Sequence, residues 1–287
     1  MISWWPHGAI WWTSCLMSYI FGGLWVPIAG TYFIGCSAWL MGQSVANKHA
    51  IGVKAYVIHY TPLTERKAFL KEQLKDEGVE HTFIEEFDKK DLSEGDLRRF
   101  DLQQVRLSMC SNIMKHLLAY QQIYFSLYPY NLILEDDAVL SDDFLAQLHR
   151  GLDQLPDDFD MLFIGDGLQM HISPEMRVQG QYVYKKSTES SRWGKGPGGA
   201  GATRCTDSYI VSKKCARLLT TYVARLPMHA INANSDLWLN DVIRRFQLKI
   251  YWLEPTIVSQ GTQNGTYSSS HGRGEETPLE SLPGGEN

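Results

Sequence analysis

Charged side chains are missing from the first 47 residues of this 287-residue chain, where no Asp, Glu, Lys or Arg occurs. All 27 Lys and Arg and all 32 Asp and Glu residues follow this segment, and the net charge is −5. Mixed signs with a slightly acidic balance exclude a basic wrapper of nucleic acid. An aromatic content of 12% excludes a disordered chain of low hydrophobicity. From residue 48 onward we therefore expect a folded domain of enzyme size.

Paired cysteines are missing as well. The five cysteines are an odd number, and no two of them have the Cys-x-x-Cys spacing. They are Cys15, Cys36, Cys110, Cys205 and Cys215. Because no cluster of histidines accompanies them, the sequence signals neither a zinc site nor a disulfide framework, and buried reduced thiols are expected.

The charge-free segment contains one long apolar run. Residues 8–42 are long enough for one membrane-spanning helix of about 20 residues, although Gly22, Gly23 and Pro27 interrupt them. Six of the nine tryptophans lie within residues 1–47, as expected for rings that anchor at a bilayer interface. A signal peptide fits less well, because no basic residue precedes the apolar run. We interpret residues 1–47 as a membrane anchor.

The orientation of this anchor follows from the nearest cations. Lys48 and Lys54 lie after the apolar run, and positive charge is retained on the cytoplasmic side. The domain that follows is therefore expected at the cytoplasmic face of a membrane. Two alternatives stay open: hydrophobic helices that pack on the domain, and an over-long reading frame whose start is never translated, which leaves a cytoplasmic protein.

From Val53 onward, short apolar runs alternate with helical patterns. The runs predict strands at 54–60, 81–87, 131–134, 160–164, 207–212 and 248–260. The helical patterns cover 64–77, 108–127, 142–155, 213–226 and 232–246, with Ser141 or Asp142 as a cap for the third of these. This alternation predicts an α/β fold, in which a mostly parallel central sheet carries helices on both faces. Ligands in such sheets bind beyond the carboxyl ends of the strands.

Two segments lack the residues that form a core. Residues 186–204 are rich in Gly, Ser and charge, which predicts a mobile loop that acts as a lid. The tail from Ser268 onward is rich in Gly, Glu, Pro and Ser, which predicts disorder. The expected organisation is therefore an apolar segment at 1–47, a catalytic domain at 48–267 and a disordered tail at 268–287.

Three consecutive carboxylates, Glu135, Asp136 and Asp137, follow the buried strand at 131–134. Their hard oxygen ligands suit Mg²⁺ or Mn²⁺ better than zinc. Without a cation, their mutual repulsion would oppose folding. Such an ion completes its shell with water and substrate phosphates, so it would neutralise a diphosphate leaving group. A solvated acidic turn is the alternative reading.

Six sequence blocks carry a resemblance to a known family. They are KAYVIHYTPLTERKAFL, LSMCSNIMKHLLAYQQI, YNLILEDDAVLSDDFL, DMLFIGDG, TDSYIVSKKCARLLT and EPTIVSQ. Their order resembles glycosyltransferase family 25, which includes lipooligosaccharide and collagen hydroxylysine galactosyltransferases. The likeness spans residues 53–262 and leaves out the first 47. It implies a GT-A-like fold and an enzyme that moves galactose or glucose from a UDP-sugar to a saccharide or glycolipid acceptor.

The resemblance also implies the roles of the three acids. Glu135 and Asp137 fall on the family's metal motif, and they would bridge Mn²⁺ (or Mg²⁺) to the donor diphosphate. Asp136 would position the donor sugar. The resemblance therefore implies a metal-dependent glycosyltransferase, with a role in the synthesis of lipopolysaccharide or another surface glycan.

Three further residues fall on the family's donor-site positions. Arg66 would meet the nucleotide or its phosphates, His116 matches a helical histidine, and Gln260 matches a late glutamine that would close the donor site. The chain departs from the family pattern at Lys115, which replaces a serine, and at His59-Tyr60, which replaces Asn-Leu.

Transfer with inversion requires a carboxylate that takes the proton of the acceptor hydroxyl. Asp236, at a predicted helix start after the loop, is the first candidate, and a helix N-cap is its alternative role. Asp166, beyond the neighbouring strand, is the second candidate, and Asp207 is weaker. Trp193 of the loop would stack on an acceptor sugar.

Two other functions stay open. A phosphotransferase or hydrolase with acids at a strand end commonly needs Asp first, where this chain has Glu135. A catalytically inactive glycan-binding or membrane scaffold protein of the same fold is favoured by the altered block around Asn112. The intact acidic triplet opposes that reading, because a scaffold has no need of it. No nucleic-acid partner is expected.

Overall fold

The computed structural model describes residues 52–186 and 203–268 of the chain. The expected anchor at 8–42, Trp193 and most of the expected tail lie outside these residues. Within the two described stretches, no helix is both long and apolar enough to cross a membrane.

The described residues form nine strands and seven α-helices. The strands are β1 (Val53–Ile58), β2 (Glu80–Ile84), β3 (Tyr130–Glu135), β4 (Ala138–Leu140), β5 (Met161–Phe163), β6 (Val183–Lys186), β7 (Ser208–Val211), β8 (Ile250–Leu253) and β9 (Val258–Gln260). The helices are α1 (Thr64–Asp76), α2 (Glu94–Leu97), α3 (Leu107–Phe125), α4 (Phe144–Leu152), α5 (Lys213–Val223), α6 (Ser235–Phe246) and α7 (Gly261–Asn264).

Seven strands form the central sheet in the order β2-β1-β3-β7-β5-β8-β6. Five of them run in one direction, whereas β7 and β6 pair antiparallel with their neighbours. Strands β4 and β9 form a separate antiparallel pair. The predicted fold class, an α/β arrangement around a mainly parallel sheet, is confirmed.

Helices cover both faces of the sheet, because successive strand residues point to opposite sides. In β5, Met161 and Phe163 join the core layer under α3, α5 and α6. Leu162 and Ile164 join the second layer, which packs against α1 and α4. Burial on both faces explains why the central strands are continuous apolar runs rather than alternating ones.

Three helices, α2, α5 and α6, begin at side-chain caps from their own sequence, and the caps of α5 and α6 bear on the site. The Ser212 hydroxyl accepts from the backbone N–H of Cys215 at the start of α5. The Asn234 side chain accepts from the N–H of Leu237 at the start of α6. Asp236 therefore lies inside the first turn of α6, and its alternative role as the N-cap is wrong.

The cap predicted for α4 is wrong. Neither Ser141 nor Asp142 caps this helix, which begins at Phe144 and has Asp143 in a left-handed conformation before it. Instead, the Glu77 carboxylate at the end of α1 accepts from the N–H groups of Phe144 and Leu145. A group from a distant element satisfies the helix start, so the local sequence carries no sign of it.

The boundaries of the expected loop also need correction. Lys186 belongs to β6, and both Thr203 and Arg204 are buried, so the ends of the 186–204 segment do contribute to the core. The buried charge of Arg204 is paired, because its guanidinium contacts the Glu254 carboxylate. The guanidinium also lies 4.5 Å from the centroid of the Trp252 ring. The apolar stretch at 248–260 is two strands, β8 and β9, with a cis Glu254-Pro255 bond between them.

Cys110, Cys205 and Cys215 are free and buried, which confirms the expectation of reduced thiols for them. Cys15 and Cys36 lie outside the described residues.

Candidate active site

A cleft with two adjoining lobes lies where the parallel strands β1 and β3 end. Four residues line both lobes: Ser108, Asn112, Glu135 and Gln260. The first lobe adds His59, Tyr60, Arg66, Lys89, Asp136, Asp137 and Thr262. The second lobe adds Leu168, Cys205, Thr206, Asp207, Asn234, Ser235 and Asp236. Both lobes are open to solvent, and the space within them, open solvent included, is about 730 and 830 Å³.

The topology explains why distant segments meet at this cleft. Parallel strands deliver their last residues to one edge of the sheet, and β3 delivers Glu135 there. Because β7 runs the opposite way, its beginning lies at the same edge. Thr206 and Asp207, just before β7, therefore stand beside the acidic triplet, and the N–H of Glu135 donates to the carbonyl of Asp207 at 2.7 Å.

Asp136 joins the acidic triplet to the end of β1. Its Oδ2 accepts from His59 Nδ1 at 2.9 Å and from the backbone N–H of Tyr60 at 3.0 Å. Its Oδ1 accepts from Arg66 Nη1 at 3.0 Å. His59, which stands where the family has asparagine, is thus a partner of the acid, and both oxygens of Asp136 accept hydrogen bonds from the protein.

Asp137 is held by the segment that follows β9. Its side chain accepts from the Thr262 hydroxyl, and its backbone carbonyl accepts from the N–H of Gly261 at 2.7 Å. Its Oδ1 is buried and accepts no hydrogen bond from the described residues. Burial, followed by the charge of Glu135, raises the pKa of Asp137 above its usual value.

Glu135 stands at the wall between the two lobes. Burial opposes its ionisation, but the hydrogen bond and charge of His116, with hydrogen bonds from Asn112 and Thr206, lower its pKa. All three contacts reach the same oxygen, Oε1, from Asn112 Nδ2 at 3.1 Å, His116 Nε2 at 3.3 Å and Thr206 Oγ1 at 3.2 Å. Glu135 is therefore a carboxylate that stays ionised.

Arg66 closes one end of the first lobe. Its Nη2 donates to the carbonyl of Ser268 at 2.6 Å, and its guanidinium lies 5.0 Å from the ring centroid of Tyr267. Ser268, the first residue of the expected tail, is thus in contact with the domain. Lys115, which replaces the family's serine, forms a buried ion pair of 2.8 Å with Asp88 in the wall of this lobe.

Asp236 is the carboxylate of the second lobe. Its Oδ1 lies 3.0 Å from the Thr206 hydroxyl, which also lies 2.9 Å from the hydroxyl of Ser235. Burial, followed by the charge of Glu135, raises the pKa of Asp236 to about 6. A carboxylate with a pKa in this range is suited to general base catalysis near neutral pH.

The other two acids considered as bases occupy different places. Asp207 lines the second lobe and is buried, and this burial raises its pKa well above the usual value. A Cβ atom on Gly165 would lie 2.2 Å from Asp207 Oδ2, so this packing requires glycine. Asp166 accepts from Gln169 Nε2 at 3.1 Å and is not among the residues that line either lobe.

The structure thus gathers most of the residues that the sequence singled out. Arg66, Asp136 and Asp137 lie in the first lobe, Glu135 and Gln260 line both lobes, Asp236 lies in the second, and His116 stands behind Glu135. Asn112, Thr206 and Thr262 were missed. For Asn112 a signal existed, because it precedes His116 by four residues on α3 and so shares its helix face.

Glu135 and Asp137 fit a hard divalent cation such as Mn²⁺ or Mg²⁺. The evidence is the buried Oδ1 of Asp137, which has no partner, beside an ionised Glu135. Among the residues that the structure describes, no three His, Cys, Asp or Glu side chains form a metal site by themselves. Two carboxylates would therefore share the ion with substrate phosphates and water, which is the usual arrangement for Mg²⁺.

Sequence comparison gives one family. The model of glycosyltransferase family 25, described as an LPS biosynthesis protein, matches residues 53–236, which is more than half of the chain. None of the curated proteins matches the chain.

The solved structures that are similar to parts of it include three that act as transferases by their descriptions. A glycosyltransferase involved in the glycosylation of the major capsid of PBCV-1 is 11% identical, with a TM-score of 0.31 over 60% of this chain and 66% of that one. The inositol-1-phosphate CTP transferase from T. maritima is 10% identical, with a TM-score of 0.35 over 72% and 88%. Mouse xyloside xylosyltransferase 1 is 11% identical, with a TM-score of 0.29 over 69% and 63%. The chain thus spans about two thirds of the viral and mouse structures.

Proposed function

The chain belongs to glycosyltransferase family 25, and from this premise we propose that it transfers a hexose, galactose or glucose, from a UDP-sugar to a saccharide acceptor. The observation that carries the proposal is the two-lobed cleft with the acidic triplet at its dividing wall. A group-transfer enzyme must hold two substrates so that they meet at one reacting carbon. Two lobes that share Glu135 and Gln260 supply that arrangement.

The first lobe is assigned to the nucleotide-sugar donor. Arg66 and Lys89 line it and supply positive charge for a diphosphate. Glu135 and Asp137 would hold Mn²⁺ or Mg²⁺, which supplies charge neutralisation for the departing nucleoside diphosphate. Both oxygens of Asp136 accept hydrogen bonds from the protein, and these bonds hold Arg66 and the end of β1 beside the other two acids. This contact adds a structural task to its proposed role at the donor sugar.

The second lobe is assigned to the acceptor. Asp236 is the proposed base, which takes the proton of the acceptor hydroxyl as the oxygen attacks the sugar carbon. The carbon–oxygen bond to the diphosphate breaks, and its electrons leave with the nucleotide. Leu168 and Met109 give this lobe apolar surface beside its polar groups, which suits the mixed faces of a sugar ring.

The acceptor and its location are proposed from the sequence. We assign the enzyme to lipopolysaccharide or surface glycan synthesis at the cytoplasmic face of a membrane, with a glycolipid as one class of acceptor. Membrane contact through residues 8–42 is part of this proposal.

A donor panel tests the proposed function. The purified full chain is incubated with several UDP-sugars and Mn²⁺, and the released nucleotide and any transferred sugar are measured by mass spectrometry. We expect slow release of UDP from one hexose donor without acceptor, and loss of this release when the cation is chelated. The proposal fails if calorimetry detects no binding of any UDP-sugar, with or without Mn²⁺. Binding without turnover under every condition would favour the inactive scaffold.

A further inference from the structure

Glu135 is held by one oxygen only. Asn112, His116 and Thr206 all reach Oε1, and no hydrogen bond to Oε2 is formed by the described residues. About a fifth of the side chain, 22%, is exposed, at the wall shared by the two lobes. Asn112 and His116 donate to Oε1, and the Thr206 hydroxyl lies beside it and shares its one proton between Glu135 and Asp236. Because these contacts fix one oxygen, Oε2 is the atom that Glu135 presents to the cleft.

Of these three neighbours of Oε1, His116 is the one with a second set of contacts deep in the core. His116 Nδ1 lies 3.0 Å from the hydroxyl of Tyr209, which lies 2.6 Å from the hydroxyl of Tyr120. The rings of His116 and Tyr209 are stacked, 6.0 Å apart with an interplanar angle of 18°. The exposed fractions of the three residues are 2%, 0% and 1%, so water does not reach these groups.

The direction of the hydrogen bond to Glu135 follows from the ionised end. A carboxylate only accepts, so His116 Nε2 donates to Glu135. The hydroxyl of Tyr209 is the partner of Nδ1 in either protonation state, because it can donate to a neutral imidazole and accept from a charged one. It also shares a hydrogen bond with the hydroxyl of Tyr120. Each buried polar group in this chain of hydrogen bonds therefore has a partner.

We propose that Tyr209 is a positioning residue of the site, which fixes the ring of His116 and through it the orientation of Glu135. This inference rests on the proposed function, because it assumes that Glu135 binds the cation and donor. Packing alone does not account for the hydroxyl group. A phenylalanine would fill the same place beside Phe163, but it would leave His116 Nδ1 buried without a partner.

The test compares Tyr209→Phe with Tyr184→Phe in the full chain. Tyr184 is a matched control, because it is a buried tyrosine that lines neither lobe. Its hydroxyl accepts from the N–H of Val178 at 2.9 Å and donates to the carbonyl of Gln181 at 3.2 Å. Calorimetry measures the affinity for UDP in the presence of Mn²⁺, and thermal unfolding measures the melting temperature. Selective ¹⁵N-histidine labelling reports the ring N–H of His116, assigned by its loss in His116→Gln.

We expect Tyr209→Phe to weaken Mn²⁺-dependent UDP binding about tenfold, the scale seen when partners of metal ligands are removed. Tyr184→Phe should bind UDP as tightly as the wild type does. Both variants lose a buried hydroxyl, so their melting temperatures should fall by similar amounts. Wild-type affinity in Tyr209→Phe overturns the inference.

Failure of the proposed function gives a different result. In that case the wild type itself binds no UDP with Mn²⁺, and the histidine spectrum decides the inference alone. A ring N–H of His116 that is protected from exchange in the wild type and in Tyr184→Phe, but exchanges rapidly in Tyr209→Phe, supports positioning by Tyr209. Equal protection in all three proteins overturns it.

Discussion

Asp137 is a buried carboxylate and Asp236 a half-buried one, and both have raised pKa values, but they have different neighbours. Asp137 lies in the first lobe with an oxygen that has no partner, and Asp236 lies in the second lobe beside Thr206. We therefore expect Asp137→Asn to weaken Mn²⁺-dependent donor binding. Asp236→Asn should retain donor affinity and lose about 10²–10⁴ in kcat, the usual contribution of a general base. Calorimetry and initial rates separate the two effects. Equal donor affinity in wild type and Asp137→Asn would contradict the role of Asp137.

The raised pKa of Asp236 sets an expected pH dependence. A base acts in its deprotonated form, and burial with the charge of Glu135 places the pKa at about 6. The kcat/KM, which reports the free enzyme, should therefore be constant above this pH and fall about tenfold for each unit below it. Measurement from about pH 5 to about pH 8 locates the midpoint. An activity that stays flat through this range would rule out Asp236 as the base.

Thr206 provides the variant that moves this midpoint. Its hydrogen bond lowers the pKa of Asp236, so Thr206→Val should raise that pKa and shift the acid limb to higher pH. Thr220→Val is the matched control, because the Thr220 hydroxyl donates within α5 to the carbonyl of Ala216. The control should leave the midpoint in place. A midpoint that shifts equally in both variants would assign the effect to general destabilisation.

Single residues were predictable where the sequence itself places them together. The acidic triplet follows a buried strand, so its position at the cleft could be predicted from residues 131–137 alone. Thr206 and Thr262 could not, because each reaches the acids through a strand that pairs with a distant part of the chain. The contact depends on the antiparallel placement of β7 and on the short pairing of β9 with β4.

Among the elements, six of the seven central strands were predictable. Five of them are apolar runs because both of their faces are buried, whereas β2 is a partly exposed edge strand. The missed strand, β6, lies at the sheet edge and contains Lys185 and Lys186 next to a segment rich in Gly and Ser. Strands β4 and β9 have three residues each, too few for a periodic pattern. The start of α4 was placed wrongly because its cap comes from α1.

The cap from Glu77 gives a prediction about stability. Glu77→Ala removes the acceptor for two N–H groups at the start of α4, which should cost about 1 kcal/mol in the free energy of unfolding. In a domain of this size, that corresponds to a melting temperature lower by about 2–4 °C. Glu72→Ala, an exposed position on the same helix, is the control and should change little. Equal melting temperatures for the two variants would show that the cap contributes no stability.

At the scale of the whole molecule, the site is assembled from segments far apart in sequence. The contacts of the acidic triplet run from His59, just after β1, to Thr262, just after β9, and Arg66 reaches the carbonyl of Ser268. Each of these residues lies after the charge-free segment, and the family match begins at residue 53. The described contacts of the site therefore all come from the charged part of the chain, and we expect the charge-free segment to serve a separate role.

Removal of residues 1–47 tests that separation. If the segment is a membrane anchor, the chain from Lys48 onward should keep the wild-type affinity for UDP with Mn²⁺ and should move from the membrane fraction to the soluble fraction of the cell. The full-length Asp137→Asn variant is the matched control, because it should stay with the membrane and lose donor affinity. Failure of the shortened chain to fold, seen as loss of its cooperative thermal transition, would instead favour hydrophobic helices that pack on the domain. A full-length chain found only in the soluble fraction would contradict the anchor.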